Sequence, residues 1–264
     1  MTQSLTYELL NELDVWQQMP TIKLDEMRSV KLMNRIDTKY VLSEDETIEL
    51  LRRAAQEGYH VQIIDNVRAC RYLTIYYDTP NREMFCLHHN RKLTRQKLRT
   101  RTYVESGTTF FEIKNKNNRG RTKKRRTEIA ASQLCSFTDN ESARNLLAEH
   151  SLYTAEELSP ALTTRFTRIT LVNPSLTERS TIDLNLDYED MRSGCCRRIE
   201  GMAIVEIKQD GNIASQMKLM LRDMHIAPLK VSKYCLGTTL TVDNIKSNRF
   251  KEKVQQINKR LTKK

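Results

Sequence analysis

The sequence predicts an α+β fold in which a closed antiparallel β-barrel of about eight strands forms a tunnel with a charged lumen, with several α-helices packed on its outside. Three observations indicate this fold. Strand-like runs follow one another along the chain, and turn signals such as ESGTT and NNRGR separate them. Four of these runs alternate a charged face with an apolar face. Amphipathic helical stretches supply apolar stripes that can cover the apolar strand faces.

Caps and apolar spacing predict the helices. Ser43 and Glu46 form a capping-box pattern, Ile48 and Leu51 follow at helical spacing, and Gly58 predicts the end of this helix. The methionine stripe of a later stretch is typical of core packing rather than of a binding surface. The later helical stretches are SARNLLAEH (142–150), SQMKLMLRDM (215–224) and a basic C-terminal segment from residue 244.

Strands are predicted where β-branched and aromatic residues alternate with polar ones over short runs. Hairpin succession of these runs favours an antiparallel sheet large enough to close. The runs are HVQIID (60–65), RYLTIYYD (71–78), KLRTRTYV (97–104), TFFEIKN (109–115), TKKRRTEI (122–129), RFTRITLV (165–172), STIDLNL (180–186) and MAIVEIKQ (202–209).

No low-complexity linker or internal repeat divides the chain. We therefore expect residues 1–240 to form a single tunnel-barrel domain with N-terminal helices, and residues 241–264 to form a basic helix packed on or flanking it. The six cysteines include no CxxC pair and no zinc-ligand spacing, which indicates reduced thiols. No apolar run approaches the roughly 20 residues that a membrane-spanning helix needs. These features together predict a cytoplasmic protein.

The positive charge is concentrated in one segment. The chain has a formal net charge of +11, yet residues 91–126 hold 14 Lys or Arg against only Glu105 and Glu112, a local balance of +12. Such a concentration costs self-repulsion unless an anionic partner offsets it. Nucleic acid, membrane headgroups and polyphosphorylated small molecules all fit this description.

Charged residues recur at every second position in this segment, as in Arg99 and Arg101 or Glu112 and Lys114. A sheet with one solvated face shows the same period, so any single strand is compatible with an open sheet. However, four strands each have one charged face and one apolar face. If helices cover the apolar faces, the charged faces point into a lumen. Buried charges of one sign cost several kcal/mol each, so such a lumen must hold water, counter-ions or a polyanion.

Eight short motifs occur in order along the chain. They are RIDTKYVL (35–42), YYDTP (76–80), HHNRKLTRQKLRTRTY (88–103), FFEIKNKNNRGRTKKR (110–125), RFTRITL (165–171), ERSTIDLNL (178–186), IVEIKQ (204–209) and VSKYCLG (231–237). Together they resemble the catalytic domain of the vacuolar transporter chaperone (VTC) polyphosphate polymerases, a branch of the triphosphate tunnel metalloenzymes with a CYTH-like fold. The resemblance extends from about residue 25 to residue 237.

The resemblance implies a barrel in which basic side chains hold phosphate oxygens and Glu206 holds a divalent metal, Mn²⁺ or Mg²⁺. Alternation alone does not decide whether Arg165 or Arg168 faces the lumen, nor whether Arg125 or Arg126 does. The motifs favour Arg168 and Arg125. The basic catalytic positions that the motifs imply are Lys39, Arg99, Arg101, Lys114, Arg125, Arg168, Arg179 and Lys233. The further substrate-binding positions that we predict are Lys97, Lys116, Lys208 and His89.

The remaining polar residues of the motifs are expected to form ion pairs, to have structural roles or to contact phosphate. Asp37, Glu112 and Asp183 are expected to pair with neighbouring arginines, with a second metal-binding carboxylate as the alternative. His88 and His89 are expected to be adjacent on a strand, where they point to opposite faces and cannot easily share one metal. Structural or phosphate-contacting roles are therefore expected for them.

By this resemblance, the chain is expected to be a phosphotransferase that moves the γ-phosphate of ATP to a growing polyphosphate chain. Arg35, Asp37 and Lys39 stand where the thiamine-triphosphatase and adenylyl-cyclase-like members have an ExExK strand, and fewer carboxylates favour the polymerase branch. Two alternatives stay open. One is a hydrolase of tripolyphosphate or a nucleoside triphosphate, and the other is a non-catalytic polyphosphate-binding protein.

The expected partners are ATP and inorganic polyphosphate or triphosphate. Nucleic acid is not expected, because aromatic residues make up only 6% of the chain and no helix-turn-helix or RNP-type motif is present. The absence of a GxxxxGK[ST] motif argues against a P-loop. The basic C-terminal helix is expected to be solvated, with a peripheral membrane or protein partner as the alternative.

Overall fold

Alternating runs pair into one mixed α+β structure in the computed structural model, which describes residues 5–29, 35–211 and 213–262. The strands are β1 (Thr21–Lys23), β2 (Arg35–Ser43), β3 (His60–Ile63), β4 (Ala69–Asp78), β5 (Arg95–Tyr103), β6 (Thr108–Lys116), β7 (Thr122–Ile129), β8 (Ser159–Val172), β9 (Glu178–Asp190), β10 (Cys196–Arg198) and β11 (Met202–Asp210). The α-helices are α1 (Tyr7–Asn11), α2 (Glu44–Gln56), α3 (Glu83–His89), α4 (Glu141–His150), α5 (Gln216–Asp223), α6 (Lys233–Thr241) and α7 (Asn248–Leu261). All eight predicted strands and the four predicted helices are present.

Eight strands form one antiparallel path in the order β2-β11-β9-β8-β4-β5-β6-β7. The predicted α+β class is confirmed, but the closed barrel is not. In the part of the chain that the structure describes, β2 and β7 end the path and do not pair with each other. The edge of β2 is instead occupied by the segment before α6, where the Leu229 N–H donates to the Lys39 carbonyl at 2.8 Å.

The sheet is curled although it is open. Lys97 on β5 donates to the Ser232 hydroxyl at 2.8 Å, while the next residue, Lys233, forms an ion pair with Asp183 on β9. Strands β5 and β9 are three steps apart in the path, or about 14 Å in a flat sheet. Because adjacent residues reach both strands, the sheet must wrap around them. We call the concave face of these eight strands the channel.

The convex face carries the apolar side chains and is covered by helices, as predicted. Ser43 caps α2 through the expected reciprocal hydrogen bonds with Glu46. Leu50 on this helix and Met217 on α5 pack in one buried cluster with the strand residue Val205. The methionine stripe therefore lies in the core.

A second cluster covers β5 and β6. Phe111 stacks on Phe137 with ring centroids 4.1 Å apart, and Leu147 of α4 belongs to the same buried group. The apolar strand faces are thus buried on the convex side. Alternation then directs the charged faces into the channel.

Helix α6 departs from the prediction that helices pack on the outside. Its Tyr234 packs with Tyr76 and Phe166 on the concave face, where aromatic side chains replace charged ones at one end of the channel. Gly237 lies so close to Tyr188 and Leu162 that any Cβ at this position would overlap them. The helix therefore fills this end of the channel.

Helix α7 confirms the predicted C-terminal helix, although its packing is more extensive than expected. Phe250 and Ile257 are buried in the same cluster as α6, and Arg260 Nη2 lies 2.7 Å from Glu46 Oε1. The division of the chain at residue 240 stays a prediction. None of the helices in the described ranges has the length and apolar character that crossing a membrane requires.

Candidate functional site

Asp183, on β9, is a buried carboxylate that two cations share. Arg168 on β8 lies directly opposite and donates to both of its oxygens, at 2.5 and 2.8 Å. Lys233, at the first position of α6, forms an ion pair with the same group. Burial raises the pKa of Asp183, but Arg168 and Lys233 outweigh it and hold the pKa well below its usual range. The carboxylate is therefore ionised.

The Arg168 side chain also lies on aromatic rings. Its guanidinium carbon is 4.8 Å from the centroid of Tyr72, and Lys233 Nζ is 4.7 Å from that of Phe166. Cation–π contacts of this kind hold the charged ends in place. The structure thus brings Arg168, rather than the exposed Arg165, to the channel.

Glu112, on β6, is shared in the same way. Arg99 on β5 donates to it through Nε at 2.7 Å and again through Nη2, and Lys124 on β7 forms a second ion pair. The carboxylate is fully buried. Burial raises the pKa of Glu112, yet Arg99 and the other nearby cations lower it far below the usual range.

Glu206, on β11, lies between two lysines. Lys39, directly opposite on β2, forms an ion pair with one carboxylate oxygen, and Lys208 Nζ lies 3.0 Å from the other. Burial raises the pKa of Glu206, but Lys208 and Lys39 keep it well below the usual value. Burial also lowers the pKa of Lys208 to about 8, even against the charge of Glu206.

A further set of cations faces the channel without a carboxylate partner in the described residues. Arg101 donates to the Thr74 hydroxyl at 3.0 Å, and Lys97 donates to Ser232. Lys114 lies opposite Lys97 and has no ion pair among the described side chains. The positive charge of Arg99, followed by burial, lowers the pKa of Lys114 well below its usual value. The channel therefore has more positive than negative charge.

The Tyr76 side chain, on β4, lies close to several of these cations. Burial would raise the pKa of this phenol, yet Arg99, Arg101 and Lys97 lower it below its ordinary value. Arg99 Nη1 lies 3.5 Å from the Tyr76 hydroxyl oxygen. The buried Tyr76 hydroxyl therefore lies beside a concentration of positive charge.

Strand register decides which basic residues of β7 face the channel. Arg125 lies opposite the buried Ile113, whereas Arg126 lies opposite Glu112 and Lys124 opposite Lys114. Because opposed residues share a face, Arg125 points away from the channel, and the expectation that it lies in the site is corrected. Arg126 also stacks on Phe110, 4.2 Å from the ring centroid.

Lys124 and Tyr76 lie in the channel although the sequence analysis predicts no role for them, and Arg126 is the alternative that the motifs did not favour. The run TKKRR offers four consecutive cations, and alternation fixes the faces only once the pairing partner is known. Tyr76 belongs to the YYDTP motif, one of the eight motifs that resemble the family, but no residue of this motif is predicted to bind substrate.

The other predicted positions divide between the channel and its surroundings. Arg179 lies opposite Lys208 on the channel face, and Lys116 lies at the end of β6 opposite Arg95. His89 is not in the site: it is on α3, is 2% exposed, and its Nε2 lies 2.7 Å from Asn248 Oδ1.

His88 and His89 lie on a helix, so the expectation that they belong to a strand is wrong. Helix α3 begins after Asp78, whose carboxylate accepts from the backbone N–H groups of Met84 and Phe85 at 2.9 and 3.0 Å. The same carboxylate accepts from the Tyr234 hydroxyl. The buried Asp78 carboxylate thus links α3 to α6 through hydrogen bonds, which gives the YYDTP motif a structural role.

The channel fits a divalent metal if substrate phosphates and water supply most of the ligands. No three His, Cys, Asp or Glu side chains converge in the ranges described. Glu206 is ionised and offers one carboxylate to the channel. Mg²⁺ is commonly bound by one or two carboxylates together with substrate phosphates and water. The residues present therefore fit a metal that arrives with its phosphate ligands.

The chain is similar to two solved structures. A putative adenylyl cyclase from Hippeastrum, described as having a dominant triphosphatase activity, is similar with a TM-score of 0.50 and 13% sequence identity, over 80% of this chain and 99% of that chain. A putative adenylate cyclase from Vibrio parahaemolyticus is similar with a TM-score of 0.46 and 13% identity, over 78% of this chain and 99% of that chain.

Among curated proteins, none matches the chain significantly. The family model of the VTC domain matches residues 34–242, which include all eight strands of the channel. This range contains the three shared carboxylates and the unpaired cations. The chain therefore belongs to the VTC domain family.

Proposed function

We propose that this chain is a metal-dependent phosphotransferase that moves the γ-phosphate of ATP to a growing inorganic polyphosphate chain in the channel. The observation that carries the proposal is the excess of cations over carboxylates. Glu112, Asp183 and Glu206 are each shared by two cations, while Lys97, Arg101 and Lys114 form no ion pair with any carboxylate that the structure describes. Membership of the VTC domain family supports the same reaction class.

Phosphoryl transfer requires neutralised charge and in-line positioning more than covalent participation of the protein. The unpaired Lys97, Arg101 and Lys114 suit the phosphate oxygens of the donor and acceptor. Arginine binds phosphate through two parallel hydrogen bonds, whereas lysine acts as a point charge that tolerates different positions of the chain. A mixture of both suits a polymer that advances through the site.

The proposed step joins two phosphates. A terminal oxygen of the polyphosphate attacks the γ-phosphorus of ATP, the bond from that phosphorus to the β–γ bridging oxygen breaks, and ADP leaves with the electron pair. We assign further phosphate contacts to Arg99, Arg168 and Arg179, which lie on the channel strands. Lys39 and Lys233 are assigned to the same site, where they form ion pairs with Glu206 and Asp183. Mn²⁺ or Mg²⁺ at Glu206 would supply further charge neutralisation when bound.

Partners follow from the same chemistry. ATP and inorganic polyphosphate are the proposed ligands, and no nucleic acid is expected. Helix α7 buries its apolar residues Phe250 and Ile257 in the core. A peripheral membrane or protein partner would therefore meet the polar and basic side of this helix.

Product analysis tests the proposal. The protein is incubated with ATP and either Mn²⁺ or Mg²⁺, and the products are resolved by gel electrophoresis and ³¹P NMR. A ladder of phosphate chains with matching ADP is expected. Orthophosphate alone would replace the proposal with a hydrolase of tripolyphosphate or nucleoside triphosphates. Tight polyphosphate binding with no turnover would replace it with a non-catalytic binding protein.

A further inference from the structure

Four more cations meet at the end of the channel where β5 begins and β6 ends. Arg95 and Lys116 lie directly opposite each other on these strands. Lys230 belongs to the segment before α6, and Lys253 on α7 donates to the Lys230 carbonyl at 2.7 Å. We call Arg95, Lys116, Lys230 and Lys253 the mouth cluster.

Strand position and one hydrogen bond connect the mouth cluster to the rest of the channel. Lys97 follows Arg95 by two residues on the same face of β5, and its amine donates to Ser232, two residues after Lys230. The cations therefore continue from the channel to the mouth without a change of face. From Arg101 to Arg95, this row of side chains is about 20 Å long at the rise of a strand.

His88 lies among these charges. Its Nδ1 is 3.0 Å from Cys235 Sγ, and its ring is 6.0 Å from that of Phe250, so it is packed between α6 and α7. Burial and the charges of Lys97, Arg95, Lys253 and Lys116 lower the pKa of His88 to about 2. Four cations thus act on one buried imidazole.

The mouth cluster has no carboxylate partner in the described ranges. Arg95 Nη1 donates to the Lys92 carbonyl at 2.6 Å, and no ion pair is formed by any of its four members. The nearby Glu252 is exposed and raises the pKa of Lys253, but it forms no ion pair with this lysine. Like charges directly opposite on neighbouring strands are destabilising. An anion at this position would remove that repulsion.

We propose that the mouth cluster is a second anion-binding site, which holds the part of a long phosphate chain that extends beyond the channel. The inference rests on the proposed function, because it requires that the channel hold the other end of the chain. It assigns the C-terminal helix a role in binding product through Lys253. Only a chain long enough to follow the row of about 20 Å from Arg101 to Arg95 fills both the channel and the mouth cluster.

The test uses the full chain and the double variant Lys230→Gln/Lys253→Gln. Lys251→Gln/Lys259→Gln is the matched control, since it removes two exposed charges from the same C-terminal helix. Dissociation constants are measured for tripolyphosphate and for long-chain polyphosphate at several salt concentrations. A melting curve for each variant establishes that it is folded. Lys230→Gln alone, at an exposed side chain, is the second variant if the double variant unfolds.

The expected result is selective. Long-chain polyphosphate binds the double variant about tenfold more weakly, with a log–log salt slope smaller by roughly 1 to 2, as expected when two cation–phosphate contacts are lost. Tripolyphosphate affinity stays within about twofold of the unmodified protein, and the control variant changes neither constant beyond that range. Unequal effects on the two ligands would support a chain that spans both sites.

Other outcomes would overturn either the mouth cluster as a binding site or the proposed function itself. Equal weakening of both ligands, or of neither, would overturn the mouth site and leave the proposed function in place. Millimolar orthophosphate that abolishes the advantage of the long chain would overturn it too, in favour of a site for a separate small anion. If the unmodified protein bound neither tripolyphosphate nor polyphosphate, the proposed function itself would fail.

Discussion

Lys97 and Lys114 lie directly opposite each other on β5 and β6, and neither forms an ion pair in the described part of the chain. Cross-strand neighbours have Cβ atoms about 5 Å apart, so like charges at such positions reduce stability. Burial lowers the pKa of Lys97, and the charge of Arg99 followed by burial lowers that of Lys114. This pair is unfavourable in the ligand-free protein and favourable when an anion lies between the amines.

Replacing one amine should therefore stabilise the ligand-free fold and weaken binding. We expect Lys114→Met to raise the free energy of unfolding by about 0.5 kcal/mol. We expect the same variant to bind tripolyphosphate about tenfold more weakly, or about 1.4 kcal/mol. Urea denaturation and calorimetric titration measure the two effects. Lys123→Met is the control, because Lys123 lies opposite Asn115 on the other face. A loss of stability with unchanged affinity would contradict this account of the pair.

The register of β7 predicts a difference between two adjacent arginines. Arg126 shares the channel face with Glu112, while Arg125 lies opposite Ile113. Arg126→Gln should weaken tripolyphosphate binding about fivefold, or about 1 kcal/mol, and Arg125→Gln should change it by less than twofold. Each variant is the other's control, since both remove one positive charge from the same strand. The reverse order of effects would show that the motif alignment, rather than this register, identifies the binding residue.

The lysines of the channel predict a pH dependence. Burial lowers the pKa of Lys124 and of Lys208 to about 8, against about 10.4 for an unfolded chain. Between these values the unfolded chain holds more protons, so the stability of the ligand-free protein should rise as the pH increases from 8 to about 10. An anion favours the charged amines, so binding should take up protons at pH 8.5 and should weaken as the pH rises.

Calorimetric titration in two buffers with different ionisation enthalpies measures this proton uptake. The variant Lys124→Gln/Lys208→Gln is titrated in parallel, so that any proton exchanged by tripolyphosphate itself is common to both proteins. The unmodified protein should take up more protons than the variant. Identical exchange in the two proteins would be inconsistent with suppressed lysine pKa values in the channel.

Glu206→Gln is predicted to remove activity and to leave a folded protein. Lys39 and Lys208 would lose their shared carboxylate, at a cost of about 1 to 3 kcal/mol in unfolding free energy. Turnover of ATP with Mn²⁺ or Mg²⁺ should fall by at least about 100-fold, because the metal would lose its carboxylate. Glu189→Gln is the control, since its partner Arg165 is exposed outside the channel. Retained turnover in the Glu206 variant would reject this role.

The sequence was sufficient to predict the strand faces, because alternation is a local property. Charges at Arg99, Arg101, Lys114 and Glu206 were placed on one side from their spacing, and the structure brings these side chains to one channel. The capping box of α2 was likewise readable from Ser43 and Glu46 alone. Patterns that depend on neighbours in sequence were therefore predicted well.

The rest depends on pairing between distant segments. Arg125 and Arg126 have the same chemistry, and only the partner strand decides between them. Helix α6 has little amphipathic character in KYCLGTTLT, so nothing in its spacing indicated that it packs inside the channel. The segment before α6 meets the edge of β2 through a backbone hydrogen bond from Leu229 to Lys39, which no side-chain pattern encodes.

The most direct measurement is a crystal structure of the protein with tripolyphosphate and Mn²⁺. The account predicts phosphate oxygens within hydrogen-bond distance of Arg101, Lys97 and Lys114, with Glu206 oriented toward the metal. Phosphate density confined to the outer face of β7, near Lys123 and Arg125, would contradict it.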